Sequence, residues 1–284
     1  MQASAQTALE VPSLDGIGGV LADWMTATAP VAWAPDLSML AAVSALGALY
    51  AGRYVSDGRI STQIYVMGSA RDSMVLSHIA TATHSINAAI PSRWPDRANL
   101  EVCRHLDQDA WKDWLLCGRT CARAFVEWSP IHGRDSVLCL ADDGNMQSLV
   151  AYARQDTMHG VMVRDLLGRF VFVPATCDRA KRAHFAPAAM PPDIARLLRD
   201  HDRQARGGVV RSGTNASDAF SDARQAWRGA GALWDHAETN ALKLAMISAI
   251  SADPIHPIMR QDDADFGIHI ISRGIGALAA LIER

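Results

Sequence analysis

Between Thr62 and Ser73 the chain reads Thr-Gln-Ile-Tyr-Val-Met-Gly-Ser-Ala-Arg-Asp-Ser. An apolar strand pattern breaks at Gly68, and a helical pattern starts at Asp72. Parallel strands need a crossover connection, usually a helix, so a strand passing within a few residues into a helix points to an α/β fold. Further strand patterns at Ala124–Trp128, Ser136–Leu140 and Arg169–Val173, mostly separated by helical ones, predict a largely parallel sheet with helices on its faces.

The junction is also where chemistry is to be sought. Helix N-terminal amides and the helix dipole face such a turn and favour phosphate. A working phosphate loop reads G-x-x-x-x-G-K-[ST], with glycines for close backbone approach and a lysine for the β- and γ-phosphates. This turn has neither the second glycine nor the lysine, and it carries Ala70 and Arg71 instead of any such pair. Alanine resists positive φ, and a planar guanidinium is no substitute for a compact ammonium. Gly68, Ser69, Arg71, Asp72 and Ser73 are the candidate phosphate-contacting residues, with the Ser73 hydroxyl a single weak ligand for Mg²⁺.

Around this junction the chain divides into four parts. Residues 1–52 hold two helices: Leu14–Thr28, capped by Ser13, and Asp36–Tyr50, with Pro35 in its first turn. The second is apolar nearly all round and is expected at the centre of the fold. Residues 53–175 form the sheet domain. In it, Ser56-Asp57-Gly58 turns Arg53–Val55 back on Ile60–Met67, and helices are predicted at Asp72–Ile90, Leu106–Arg123 and Asn145–Arg154, the last capped by Asp143. Residues 176–215 read as a linker with one charged helix, opened by Pro191-Pro192 and running to Arg206, followed by a flexible Gly207–Asn215. Residues 216–284 read as wholly helical, at Asp218–Trp227, Leu233–Ala252 and Asp263–Glu283, the last two amphipathic.

Composition narrows the function classes. A formal net charge of −3 gives no global field to recruit nucleic acid. The one concentration of basic residues is Arg196, Arg199, Arg203, Arg206 and Arg211. It is the candidate nucleic-acid surface, weighed against a solvated helix face laced with Asp193, Asp200 and Asp202. The five cysteines form no C-x-x-C pair and the ten histidines no H-x-x-x-H, so no metal site is assigned. Asp142-Asp143 reads as a helix cap with a solvated acid rather than a cation site. No signal-peptide pattern opens the chain and no apolar run reaches the ~20 residues of a bilayer span, so a cytoplasmic protein without membrane contact is expected.

Three segments together resemble the RecA-like P-loop ATPases of phages and plasmids, of the helicase and primase-helicase type. Leu40–His78 is similar to that family's apolar helix, hairpin and P-loop strand, with Ser69-Ala70-Arg71-Asp72 where the family has Ser-Gly-Lys-Asp. Ala124–Val173 is similar to its later strands, with Glu127 near the Walker B acid position and Gly168-Arg169-Phe170-Val171 at its Arg-Phe strand. Trp234–Ala245 is similar to its Ala-Leu-Lys-Leu-Ala helix, with His236 where an arginine is common. The resemblance implies a RecA-like three-layer core with a mostly parallel sheet, N-terminal helices and a C-terminal helical segment. With the loop degenerate, it implies a protein that is not an active ATPase, takes no cofactor unless the loop still holds ATP·Mg²⁺, and works through a protein partner, nucleic acid or its own copies. The rival expectations are an active divergent helicase or translocase using Arg71 and Ser73, and a phage-encoded interaction protein that kept only the scaffold.

Overall fold

The computed structural model describes residues 18–28, 35–69, 100–104, 136–141, 143–174 and 192–284. The predicted helices Asp72–Ile90 and Leu106–Arg123, the predicted strand Ala124–Trp128 and the part of the expected linker before Pro192 lie outside the described residues.

The apolar run after Thr62 forms β2 (Tyr65–Ser69), which joins β3 (Leu100–Arg104), β4 (Ser136–Ala141) and β5 (Val171–Pro174) in a sheet of order β3-β4-β2-β5. All its ladders are parallel. Tyr65 to Gly68 are buried without alternation, as expected of a strand covered on both faces. No periodicity in the sequence marks β3: Leu-Glu-Val-Cys-Arg is short and mixed in polarity, and it lies just before a predicted helix. The chain is therefore α/β with parallel sheets.

Helix α1 (Gly19–Thr28) is tied to the core by Trp24, whose indole N–H donates to the Ser38 carbonyl at 3.2 Å. Helix α2 (Pro35–Tyr50) is apolar on all sides, and it packs against β2, β4 and β5. Proline opens it where no amide partner is needed, as the sequence predicted. Between β4 and β5 lie α3 (Asp143–Ala153) and α4 (Met158–Gly168). α4 went unpredicted because Gly160 reads as a breaker. In the fold Thr157 caps the helix by accepting from the Gly160 amide, and a Cβ on Gly160 would stand 1.9 Å from the Gln155 carbonyl oxygen.

A second, smaller sheet corrects the reading of the C-terminal half. β1 (Tyr54–Ser56), β6 (Gly208–Ser212) and β7 (Ile258–Met259) pair in parallel, in the order β1-β6-β7. The segment read as a flexible linker is thus the central strand of a sheet, and the C-terminal segment is not wholly helical. Gly207 and Gly208 masked this strand, yet they make it. Both have positive φ (78° and 133°), and a Cβ on Gly207 would lie 2.6 Å from the Arg53 carbonyl oxygen, to which the Gly208 amide donates at 2.8 Å. The predicted hairpin shrinks to a single antiparallel bridge, Val55 to Ser61.

Helices α5 (Pro192–Gln204), α6 (Thr214–Trp227), α7 (Ala237–Ala252) and α8 (Gln261–Glu283) complete the fold. α7 is buried almost all round, contrary to its expected amphipathicity, because it packs against α1, α2, α6, α8 and both β6 and β7. α8 keeps a one-sided apolar stripe (Phe266, Ile270, Ile271, Ile275, Leu278). By length and composition alone α8 could cross a membrane. Its stripe is spent on α6, α7 and β5.

Candidate functional site

Parallel strands end at a common edge, and in this sheet the carboxyl edge is formed by Arg104, Ala141, Ser69 and Pro174. From β2 the chain moves to the β3 side, and from β4 it crosses to β5 on the other side of β2. The strand order thus reverses about β2, and in open α/β sheets ligands bind outside the carboxyl ends at such a switch point. Gly68 does not break the strand. It pairs with Leu140 and Val173, and Ser69 with Ala141 and Pro174, so the strand runs to Ser69 because an interior parallel position satisfies both sides of its backbone. Arg71, Asp72, Ser73 and Glu127 lie outside the described residues.

The arginines of α5 share one helix but not one environment. Arg196 pairs with Asp193 at 3.7 Å and Arg203 with Asp200 at 2.9 Å, both on the exposed surface. Such i,i+3 pairs are worth a few tenths of a kcal/mol and leave the cations reachable. Arg199 is half-buried, and Arg206 and Arg211 are exposed beyond the helix. Asp202 turns the other way.

That inward face holds a polar cluster the sequence reading missed. Ile194 and Leu198 set a buried stripe on α5 whose next positions are His201 and Asp202. The Asp202 carboxylate accepts from the Arg53 guanidinium at 2.7 Å, with both side chains 5% exposed. Tyr50 Oη lies 2.6 Å from His201 Nε2, the Tyr50 and Tyr54 rings meet edge to face, and the Tyr54 hydroxyl donates to the Pro254 carbonyl. Burial pulls the His201 pKa down to about 4, with Asp202 opposing and Arg53 assisting, and burial raises both tyrosines. Near neutral pH the imidazole is therefore uncharged and the phenols keep their protons. The cluster locks α5 and β6 onto α2 and β1. Its visible signal was a histidine and an aspartate at core positions of an otherwise regular apolar stripe.

A second cluster joins two of the family-like segments. Asp165 Oδ2 accepts from Arg169 Nε and a terminal guanidinium nitrogen at 3.1 and 2.8 Å, and His236 Nε2 lies 3.2 Å from Asp165 Oδ1. The Asn240 side-chain amide donates to the Gly168 and Arg169 carbonyls, each at 3.2 Å. Arg169 precedes β5, which runs parallel to β2, so this cluster marks the amino edge of the sheet. Along the strand it is roughly 15 Å from the carboxyl edge at ~3.3 Å per residue. It positions α7 and does not reach the Ser69 end of the sheet. Lys243, one turn further along α7, is buried, and burial alone lowers its pKa to about 8.

No protein-family model matches this chain, and no curated protein matches it.

Proposed function

We propose that this chain is a catalytically degenerate, RecA-like ATPase-fold protein of a phage or mobile element, acting as a non-catalytic component of a replication or nucleic-acid complex. The observation that carries the reading is the parallel order β3-β4-β2-β5, with the strand that leads into the altered loop in the interior, at the switch point. A phosphate loop there would face the position where α/β folds bind nucleotides. The loop sequence, with Ala70 and Arg71 in place of glycine and lysine, lacks the groups that cradle and neutralise a triphosphate.

The scaffold then serves assembly rather than turnover. Its contact surface for a polynucleotide is the exposed side of α5 and its exit, with Arg196, Arg199, Arg203 and Arg206, of which two are already half-neutralised by aspartates. Titration calorimetry with ATP·Mg²⁺ tests the central point. The reading requires no heat of binding at millimolar nucleotide and no phosphate release. ATP turnover that is abolished by Arg71→Ala and coupled to strand separation would overturn it in favour of an active translocase.

A further inference from the structure

Helices α6 and α8 flank an open cleft of about 610 Å³ on the side of the molecule built from the C-terminal residues. Its floor is made of small or apolar side chains, Ala219 and Ala223 from α6 and Ile268 from α8, and its rims carry Asp218 and Asp222 on one side and Asp265 on the other. Among the described residues no lysine, arginine or histidine lines it. These three carboxylates alone equal the formal net charge of the entire chain, −3. Asp218 and Asp222 stand at i,i+4 spacing, where like charges oppose the helix that carries them.

We propose that this cleft is a docking groove for a lysine- or arginine-bearing amphipathic helix of a partner protein. Three features select that occupant. Among the described residues no three acidic, histidine or cysteine side chains converge on a point that could hold a metal ion, so the charge is spread along the cleft and suits cations spaced along a segment. Basic residues at i and i+4 on a helix repeat at the spacing of Asp218 and Asp222, about 5–6 Å between their Cβ atoms. The alanine floor lets another helix approach to the 8–10 Å of close packing, as in helix-in-groove recognition. The inference stands on the cleft alone and is independent of whether the sheet binds nucleotide.

The probe is a fluorescein-labelled 16-residue helical peptide with lysines at positions 2, 6, 9 and 13 and alanine and leucine on the adjoining face, titrated with the full chain by anisotropy. A matched peptide with glutamates in place of the lysines is the control. Saturable binding of the lysine peptide alone is expected, weakened at least tenfold by Asp218→Lys/Asp222→Lys and, separately, by Ala226→Trp. Ala226 lines the cleft and is exposed, so a bulky ring there blocks the groove without altering charge or core. Equal binding of the glutamate peptide, or lysine-peptide binding that survives either variant, overturns the groove. Sedimentation of the chain alone covers the remaining occupant: a dimer dissolved by Asp218→Lys/Asp222→Lys assigns the cleft to a second copy and overturns the partner helix.

Discussion

Tyr50 Oη and His201 Nε2 are 2.6 Å apart across 151 residues of chain, inside the core. The pair ties the last turn of α2 to the last turn of α5.

Its pH dependence is defined in sign. The His201 pKa falls from 6.5 in the unfolded chain to about 4 in the fold, so between these values the unfolded state binds more protons. The stability from keeping the imidazole neutral is present above pH 6.5 and is lost as pH falls toward 4, by on the order of 3 kcal/mol in total. Urea unfolding at pH 7, 5.5 and 4 measures it. Tyr50→Phe should remove about 1–3 kcal/mol at every pH and keep the slope, since burial and not the phenol is the first cause of the shift.

Beside it, Arg53 and Asp202 form a buried ion pair. Asp202→Ala should cost about 3–5 kcal/mol because it removes one member of a buried, hydrogen-bonded ion pair. Arg53→Met/Asp202→Leu should be close to wild type in chemical denaturation, since removing both charges also removes their desolvation. A double variant as unstable as the single one would show that the two residues act through separate partners.

How far the sequence reached depends on what each residue answers to. α2, β4, β5 and α8 were legible because their apolar patterns and proline or acidic starts are local. β6 was not: Gly207 and Gly208 read as linker until the Arg53 carbonyl is placed beside them, 154 residues earlier in the case of Gly207. His201 and Asp202 were legible only as charge on a helix, because their buried partners Tyr50 and Arg53 are equally remote in sequence. At the candidate site, the interior strand β2 was foreseen, but it ends at Ser69, two residues beyond the expected Met67, since a glycine's preference for turns yields when both neighbours supply a ladder.

Lys243 gives a prediction of the opposite kind. Its folded pKa of about 8 lies below the unfolded value of 10.5, so burying the ammonium destabilises the fold in full below pH 8. The penalty fades as pH rises from 8 to 10.5 and is gone above it. Lys243→Met should therefore raise stability at pH 7, by at most about 3 kcal/mol, and by little at pH 10.5. Denaturant midpoints at the two pH values decide it: an equal gain at both would assign the effect to packing rather than charge.

Two glycines two residues apart in α8, on opposite faces of the helix, should respond in opposite directions. A Cβ on Gly274 would stand 2.1 Å from the Phe172 carbonyl oxygen, in the backbone of β5, where neither partner can yield without shifting the helix off the sheet. Gly276 is exposed and a Cβ there meets nothing within 4 Å. Gly274→Ala should thus destabilise by about 1–3 kcal/mol through overpacking, while Gly276→Ala should stabilise by about 0.5–1 kcal/mol through helix propensity. Thermal unfolding of the two single variants measures both terms on one helix. Stabilisation by both would mean that α8 does not rest on β5 through Gly274, because the propensity gain is common to the two sites and only the contact with Phe172 separates them.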